Sequence, residues 1–216
     1  MTVILKYGNT NTFFIQGDKG GLLVDTDYAG TLPAFYKALK QSGIKVKDME
    51  YVLATHYHPD HVGLISELMK QGVKLLLADV QKDHVHFSDS IFVKNKLIYE
   101  SIDETSAIVI SCGESRDILS SIGISGEIIY TPSHSEDSIS LILDDGDCIV
   151  GDLEPYEYIE AYEENSKLQK DWERILSFHP KRVLFSHRPD SVIDPSKIEL
   201  DDQYEDIHDP CLRFQR

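Results

Sequence analysis

Thr55-His56-Tyr57-His58-Pro59-Asp60-His61-Val62-Gly63 puts three histidines and an aspartate within six residues. The run follows Tyr51-Val-Leu-Ala54, an apolar stretch that reads as a buried strand. His56 and His58 are two apart, so in an extended segment they project to the same side. Asp60 and His61 follow where Pro59 and a helix start turn the chain, which aims them at a second point of the same cleft. Imidazole and carboxylate are ligand types that zinc, iron and manganese accept. A polar helix cap would account for Asp60 and leave three imidazoles unexplained.

Further along, the same residue types recur at strand ends. Thr131-Pro-Ser-His134-Ser-Glu-Asp-Ser138 sits between two apolar runs, Val150-Gly-Asp152 ends one strand with a carboxylate, and Leu184-Phe-Ser-His187 ends another with an imidazole. Each alone reads as an ordinary hydrogen-bonding residue. Their repeated placement after apolar strands matches sites built at strand termini by loops.

Outward from the histidine loop, residues 2–7, 11–16 and 20–25 read as a meander of short strands with turns at Gly8-Asn9 and Asp18-Lys19-Gly20-Gly21. A helix over 31–43, a strand over 51–54, a helix over 62–70 and a strand over 73–78 follow, then a short helix over 115–122. The second half repeats the plan, with strands at 127–131, 138–143 and 148–150, helix over most of 156–178 and a strand at 183–185. Strand meander followed by helix–strand alternation thus occurs twice, as in two sheets packed face to face with helices outside.

The order His-x-His-x-Asp-His, Thr-Pro-x-His, Gly-Asp and a strand-end His resembles the metallo-β-lactamase superfamily. The resemblance runs from Leu22-Leu-Val-Asp25-Thr to His187. It implies an α/β fold, an αββα sandwich of two β-sheets flanked by helices, as a single domain with two pseudo-repeated halves over residues 1–194, with 195–216 as an acidic C-terminal tail. It implies that His56, His58 and His134 bind one metal, that Asp60, His61 and His187 bind another, and that Asp152 bridges them. Asp25 resembles an aspartate that supports such a site without ligating. Residues 131–138 depart from the usual Thr-Pro-Gly-His-Thr-x-Gly-Ser, and Ser186-His187-Arg188 stands where Gly-His-Gly is common. Neither departure removes a ligand.

The function this implies is a dinuclear metal-dependent hydrolase, attacking an ester, thioester, lactone or related bond of a small molecule with a metal-bound hydroxide. The implied cofactors are two divalent metal ions, zinc first, with iron or manganese also suited to the donors. Asp60 would ligate, orient the hydroxide and pass a proton on. Tyr156, close after Asp152, is a candidate to polarise a carbonyl or protonate a leaving group, with packing at the start of the 156–178 helix as the competing reading. The alternative function is a non-haem di-iron protein for oxygen or nitric oxide chemistry, whose loop Pro59-Asp60-His61 resembles. Such proteins commonly carry Glu where His58 stands here.

Composition narrows the partners. Against 37 Asp and Glu the 216 residues carry 21 Lys and Arg, a formal charge of −16. A chain so acidic has no evident stretch for gripping phosphate backbones, so nucleic acid is disfavoured. No Lys/Arg cluster of the kind a bulky anionic substrate needs is visible. No apolar run reaches the roughly 18 residues of a membrane helix, and the N-terminal residues lack signal-peptide features. Three scattered cysteines form no pairing framework, which favours a reducing cytoplasm. The expected partner is a small-molecule substrate, with a homo-oligomer left open. His84 and His86 share the two-residue spacing but lack a third ligand and read as surface histidines. Trp172, Ile175, Leu176 and His179 read as the core-facing stripe of a helix, not a cofactor box.

Overall fold

The computed structural model describes residues 2–161 and 166–193. Strands β1 (Thr2–Lys6), β2 (Asn11–Gln16) and β3 (Gly21–Val24) form an antiparallel meander, and β4 (Met49–Leu53), β5 (Lys74–Ala78) and β6 (Ile108–Ile110) extend it in parallel. The second sheet repeats the plan. β7 (Gly126–Tyr130), β8 (Ile139–Leu143) and β9 (Asp147–Gly151) are antiparallel neighbours, β10 (Arg182–Phe185) joins β9 in parallel, and β11 (Ser191–Val192) closes the edge.

Both faces of the first sheet are covered, which is why its strands read as near-continuous apolar runs rather than strict alternation. Phe14, Leu23, Val52, Leu75 and Leu77 pack under the outer helices, including Phe35 and Leu39 of α1 (Leu32–Ser42). The intervening residues Phe13, Leu22, Val24, Leu53 and Leu76 meet Ile128, Ile139, Leu141 and Ile149 of the second sheet. On that sheet's far side, Ile142, Cys148, Val150 and Val183 pack against Trp172, Ile175 and Leu176 of α6 (Ser166–Ser177). The layers run helix, sheet, sheet, helix, as the sequence predicts.

Several elements differ from the sequence expectation. The single helix over 62–70 is two, α2 (Pro59–Val62) and α3 (Ile65–Met69). At the break, a Cβ on Gly63 would lie 2.1 Å from Ala29 N and 2.4 Å from Asp27 O, so this glycine lets the chain lie directly on the loop after β3. The short strands β6 and β11 and helix α4 (Asp89–Lys94) are additional. Helix α5 (Ser115–Ser121) follows β6, where the sequence predicts a short helix over 115–122. The 156–178 span is a 3₁₀ stretch at Tyr156–Ala161 followed by α6. The acidic tail at 195–216 and Cys211 lie outside the described residues.

Because β3, β4, β9 and β10 are joined by parallel pairings or lie across the sandwich from one another, their C-terminal ends open on one rim. The residues that follow them are Asp25, Thr55 to His61, Asp152 and His187. No helix among the described residues is long and apolar enough to cross a membrane.

Candidate metal centre

Asp25 organises the rim. Its φ is +59°, a left-handed conformation that costs a non-glycine residue energy and persists where surroundings over-determine it. Those surroundings are explicit: Thr55 donates its backbone N–H and its hydroxyl to the carboxylate at 2.7 and 2.9 Å, and Ser186 donates its hydroxyl at 3.2 Å. The same carboxylate meets His61 Nδ1 at 2.9 Å. One fully buried acid therefore ties the segments after β3, β4 and β10 together and fixes the His61 ring.

Neighbouring contacts place the other side chains. Thr55 Oγ1 lies 3.1 Å from His56 Nδ1, leaving Nε2 to face the rim. Gly151 has φ +60°, and a Cβ there would meet Thr55 Oγ1 at 2.5 Å, so only glycine lets β9 deliver Asp152 to this point. Pro59 opens α2, and a turn from His61 N to His58 O (3.0 Å) redirects the chain so that Asp60 meets His187 while the His61 ring stays 4.0 Å from that of His56. His187 is held by Asn9, whose carbonyl is 3.1 Å from Nδ1.

The ring nitrogens and carboxylates converge. His56 Nε2 is 3.0 Å from His58 Nδ1, and His134 Nε2 is 3.3 Å from the same Nδ1. His187 Nε2 is 3.0 Å from Asp60 and 3.4 Å from Asp152, while His61 Nε2 is 3.4 Å from Asp152 and 3.9 Å from Asp60. Asp152 Oδ2 also lies 3.9 Å from both His56 and His134. Three overlapping sets could each hold a metal ion: His56, His58 and His134; His56, His61 and Asp152; Asp60, His61 and His187. All seven sequence candidates thus fall in one cluster, with Asp152 between its two sides.

The donor chemistry fits cations. His61 Nε2 and Asp152 Oδ1 are buried side-chain atoms without a hydrogen-bond partner, an arrangement that costs free energy unless something binds them. Burial works against a charged His61, but Asp25 and Asp152 outweigh it and push its pKa up to about 10. Asp152 and Asp60 push His187 up to about 10 as well. Burial also opposes the charge on Asp152, yet His187 and His61 hold it far below the carboxylate range. Burial drives His56 well below its ordinary value, keeping it neutral as a metal ligand must be.

Sequence reading missed the braces behind these residues. Tyr57 N donates to Asp137 at 2.6 Å, and buried Gln81 Nε2 donates to the carbonyls of Ala54 (3.0 Å) and Asp137 (3.1 Å), locking the two histidine loops together. On α6, buried Asp171 accepts Ser133 N–H at 2.7 Å, Arg174 donates to the Tyr130 carbonyl, and Trp172 Nε1 donates to Glu154 O at 2.8 Å. Of the two departures from the usual glycines, Asp137 gives its carboxylate to this bracing, whereas at Ser133 the contact is made by the main-chain N–H that a glycine would also offer. Gln81 and Asp171 carry no local signal, since their partners are main-chain groups far along the sequence. Tyr156 is exposed, its ring meeting Trp172 edge-on at 5.9 Å. His86 pairs with Asp89 at 3.0 Å on the surface, and the groups able to hold a metal among the described residues do not include it.

The profile of the Metallo-beta-lactamase superfamily matches residues 5–187. The chain belongs to the metallo-β-lactamase superfamily. Within the superfamily it is 23% identical over 181 residues to the beta-lactamase-like protein 2 homolog of Drosophila melanogaster, covering 82% of this chain and 58% of that protein. The chain therefore spans under two thirds of that relative's length. Among solved structures, TTHA1623 in a di-iron-bound form superposes with a TM-score of 0.67 at 19% identity, over 89% of this chain and 94% of that one. A metallo-β-lactamase of Cronobacter sakazakii gives 0.60 at 17% identity, over 85% and 76%. These likenesses establish the shared metallo-β-lactamase fold.

Proposed function

We propose that the cluster is a dinuclear metal centre and the chain a metal-dependent hydrolase of a small ester, thioester, lactone or related acyl compound. The supporting observation is the convergence of seven donor residues, two with orphaned buried atoms, on the rim where four strands end. In this reading His56, His58 and His134 hold one ion, Asp60, His61 and His187 the other, and Asp152 stands between. Two divalent ions so held would supply a Lewis acid for the acyl oxygen and would make water acidic enough to ionise near neutral pH.

The chain's own residues do the rest. Asp60 is partly exposed, with both oxygens turned into the cluster, so it can orient a water and take its proton. It then returns that proton to the departing oxygen, sulfur or nitrogen as water adds across the acyl bond. Asp25 and Asn9 keep the rings of His61 and His187 from swinging. Tyr156, in the segment after Asp152, is a second proton donor to test by Tyr156→Phe.

Elemental mass spectrometry of the purified protein, with a panel of thioesters, lactones and phosphodiesters, tests the reading. About two zinc ions per chain and turnover of an acyl substrate are expected. Asp60→Asn should lower kcat by roughly 10²–10⁴-fold with little change in folding, whereas the same change at exposed Asp83, outside the cluster, should alter neither kcat nor folding. Equal turnover in Asp60→Asn and the parent would sink the mechanism. Two iron ions with absorption that changes on reduction would instead point to oxygen or nitric oxide chemistry.

A further inference from the structure

Two aspartates follow the end of β3, Asp25 and Asp27, and both are buried. Asp25 holds the His61 ring directly. Asp27 instead takes main-chain donors: Tyr28 gives its N–H to Oδ1 at 2.6 Å, and Thr10 gives its N–H to Oδ2 at 3.1 Å. A buried carboxylate is costly unless its oxygens are bonded, and here both are. Thr10 sits in the turn between β1 and β2, one residue past the last pair of their ladder, Lys6 with Asn11. The ladder of β2 with β3 also stops short of it, at Phe13 and Val24. No strand pairs with this N–H, and the Asp27 side chain reaches across from the end of β3 to take it. The approach is close. A Cβ on Gly8 would overlap the Asp27 carboxylate, to which all three of its nearest atoms belong. Gly8 does not have a positive φ, so the carboxylate, not the backbone conformation, excludes a side chain there.

The N–H of Thr10 and the carbonyl of Asn9 are two ends of one peptide unit. That unit is planar and trans, so its N–H and C=O point in opposite directions. Asp27 holds the first end, and the second faces His187 Nδ1 at 3.1 Å. Asn9 and His187 are both exposed, so packing does little to fix either, and a rotation of this peptide would take the carbonyl off the ring. The line from carboxylate through peptide to imidazole also carries polarisation. A bond from the N–H to a carboxylate is charge-assisted, and it makes the oxygen at the other end of the peptide a stronger acceptor. That favours the proton of His187 on Nδ1 and leaves Nε2, which faces Asp60 and Asp152, as the nitrogen for a cation.

We propose that Asp27 is a positioning residue of the centre, acting on His187 through the Asn9–Thr10 peptide. The segment Asp25–Asp27 then sets both histidines of one side, His61 by direct contact and His187 through one peptide unit. Partners behind a ligating histidine fix its ring and raise its basicity, and this relay does both at one remove. The inference rests on the metal-centre reading for what His187 binds, but the relay itself stands on the contacts. An Asp27 that only closed the end of the hairpin would affect stability and leave the ring as it is.

The test follows the His187 ring by nitrogen-15 resonance in the full chain. In the parent its Nδ1–H proton should be resolved and slow to exchange with water. In Asp27→Ala it should exchange at least about tenfold faster. Cobalt, read by its coordination-sensitive absorption, should bind roughly tenfold more weakly on the Asp60–His61–His187 side and within about twofold of the parent on the other. Gly8→Ala lies in an exposed turn and keeps the test open should Asp27→Ala not fold. It should have the same effect by pushing the carboxylate away, and adding it to Asp27→Ala should cost nothing further, since the atoms it would strike are gone. Thr12→Val, which removes a hydroxyl bonded to Tyr7 in the same hairpin, should lower the urea midpoint and leave the ring proton slow. A ring proton that is already fast in the parent, or parent-like exchange and cobalt binding in both single variants, would overturn the relay. Losses shared equally by the two sides and tracking the urea midpoint would overturn it too, because they report folding alone. The metal reading fails separately. A parent that takes up no cobalt yet shows a protected ring proton, lost in both variants, retires the metal centre and keeps the relay. Two cobalt ions held equally by parent and variants do the reverse.

Discussion

The two sides of the cluster arise from one loop yet are steadied differently. On the side of Asp60, His61 and His187, the rings themselves are gripped, His61 by Asp25 at 2.9 Å and His187 by the Asn9 carbonyl at 3.1 Å. On the side of His56, His58 and His134 the His56 ring alone is gripped, by Thr55 Oγ1 at 3.1 Å, and the remaining support acts on main chain: Asp171 on Ser133 N, Arg174 on Tyr130 O, Asp137 on Tyr57 N. His58 itself has the exposed Phe87 ring for a neighbour, at 5.4 Å between centroids. The first arrangement sets ring orientation and basicity directly. The second sets only where a loop sits, so its removal should be felt more weakly. Support by side chain and support by backbone are thus separable in one molecule.

The residue shared by both sides should matter most. Asp152→Ala should reduce bound metal from about two ions towards one or fewer and lower turnover by roughly 10³-fold or more, as a lost electrostatic clamp implies. Full occupancy in this variant, measured by elemental analysis after dialysis, would remove Asp152 from its central position. Next comes Asp25→Asn, which swaps an acceptor-only group for an amide beside three donors. It should weaken the Asp60–His61–His187 site by about 10–100-fold and the other side less, because there Asp25 acts only through Thr55, whose hydroxyl meets both Asp25 and His56. Cobalt substitution, with its coordination-sensitive absorption, distinguishes one weakened site from two.

Asp171→Asn should have the smallest effect on metal, a few-fold loss confined to the His134 side. It carries a sharper signature in pH. Burial raises the Asp171 carboxyl to about 6, so between its ordinary value and 6 the folded chain keeps a proton that the unfolded chain has released. Stability from this group therefore falls as pH rises through that window and levels off above it, by at most about 3 kcal/mol. The asparagine variant lacks this fall. The difference in urea midpoints between parent and variant from pH 4 to 7 should show it, and a flat difference would mean that Asp171 is already ionised at pH 4.

The contrast between the two kinds of support also marks what a sequence discloses. His56, His58, Asp60 and His61 sit within one loop, and their spacing alone marks a candidate metal site. His134, Asp152 and His187 are legible because each ends or links an apolar strand. The layered fold was legible for a similar reason, since strand runs and turn residues are local. Gln81 and Asp171 were not, because a buried amide or carboxylate bonded to distant backbone leaves no pattern around itself. Gly63 read as part of a helix because the backbone it lies against belongs to residues 27–29. Short edge strands such as β11 hold too few residues to show a period.

The Asn9–His187 contact has a consequence for the order of events in synthesis. His56, His58, Asp60 and His61 leave the ribosome early and near one another. The partner that steadies His187 is made before all of them, while His187 is made last of the seven, 178 positions after Asn9. Closing a loop of that length costs chain entropy that short-range contacts do not repay. A nascent chain can therefore display half a coordination sphere long before the other half exists. Were a metal ion captured at that stage, one loop alone would hold it, and the remaining candidate ligands would join only when the last parallel strand docks and carries His187 across to the first hairpin.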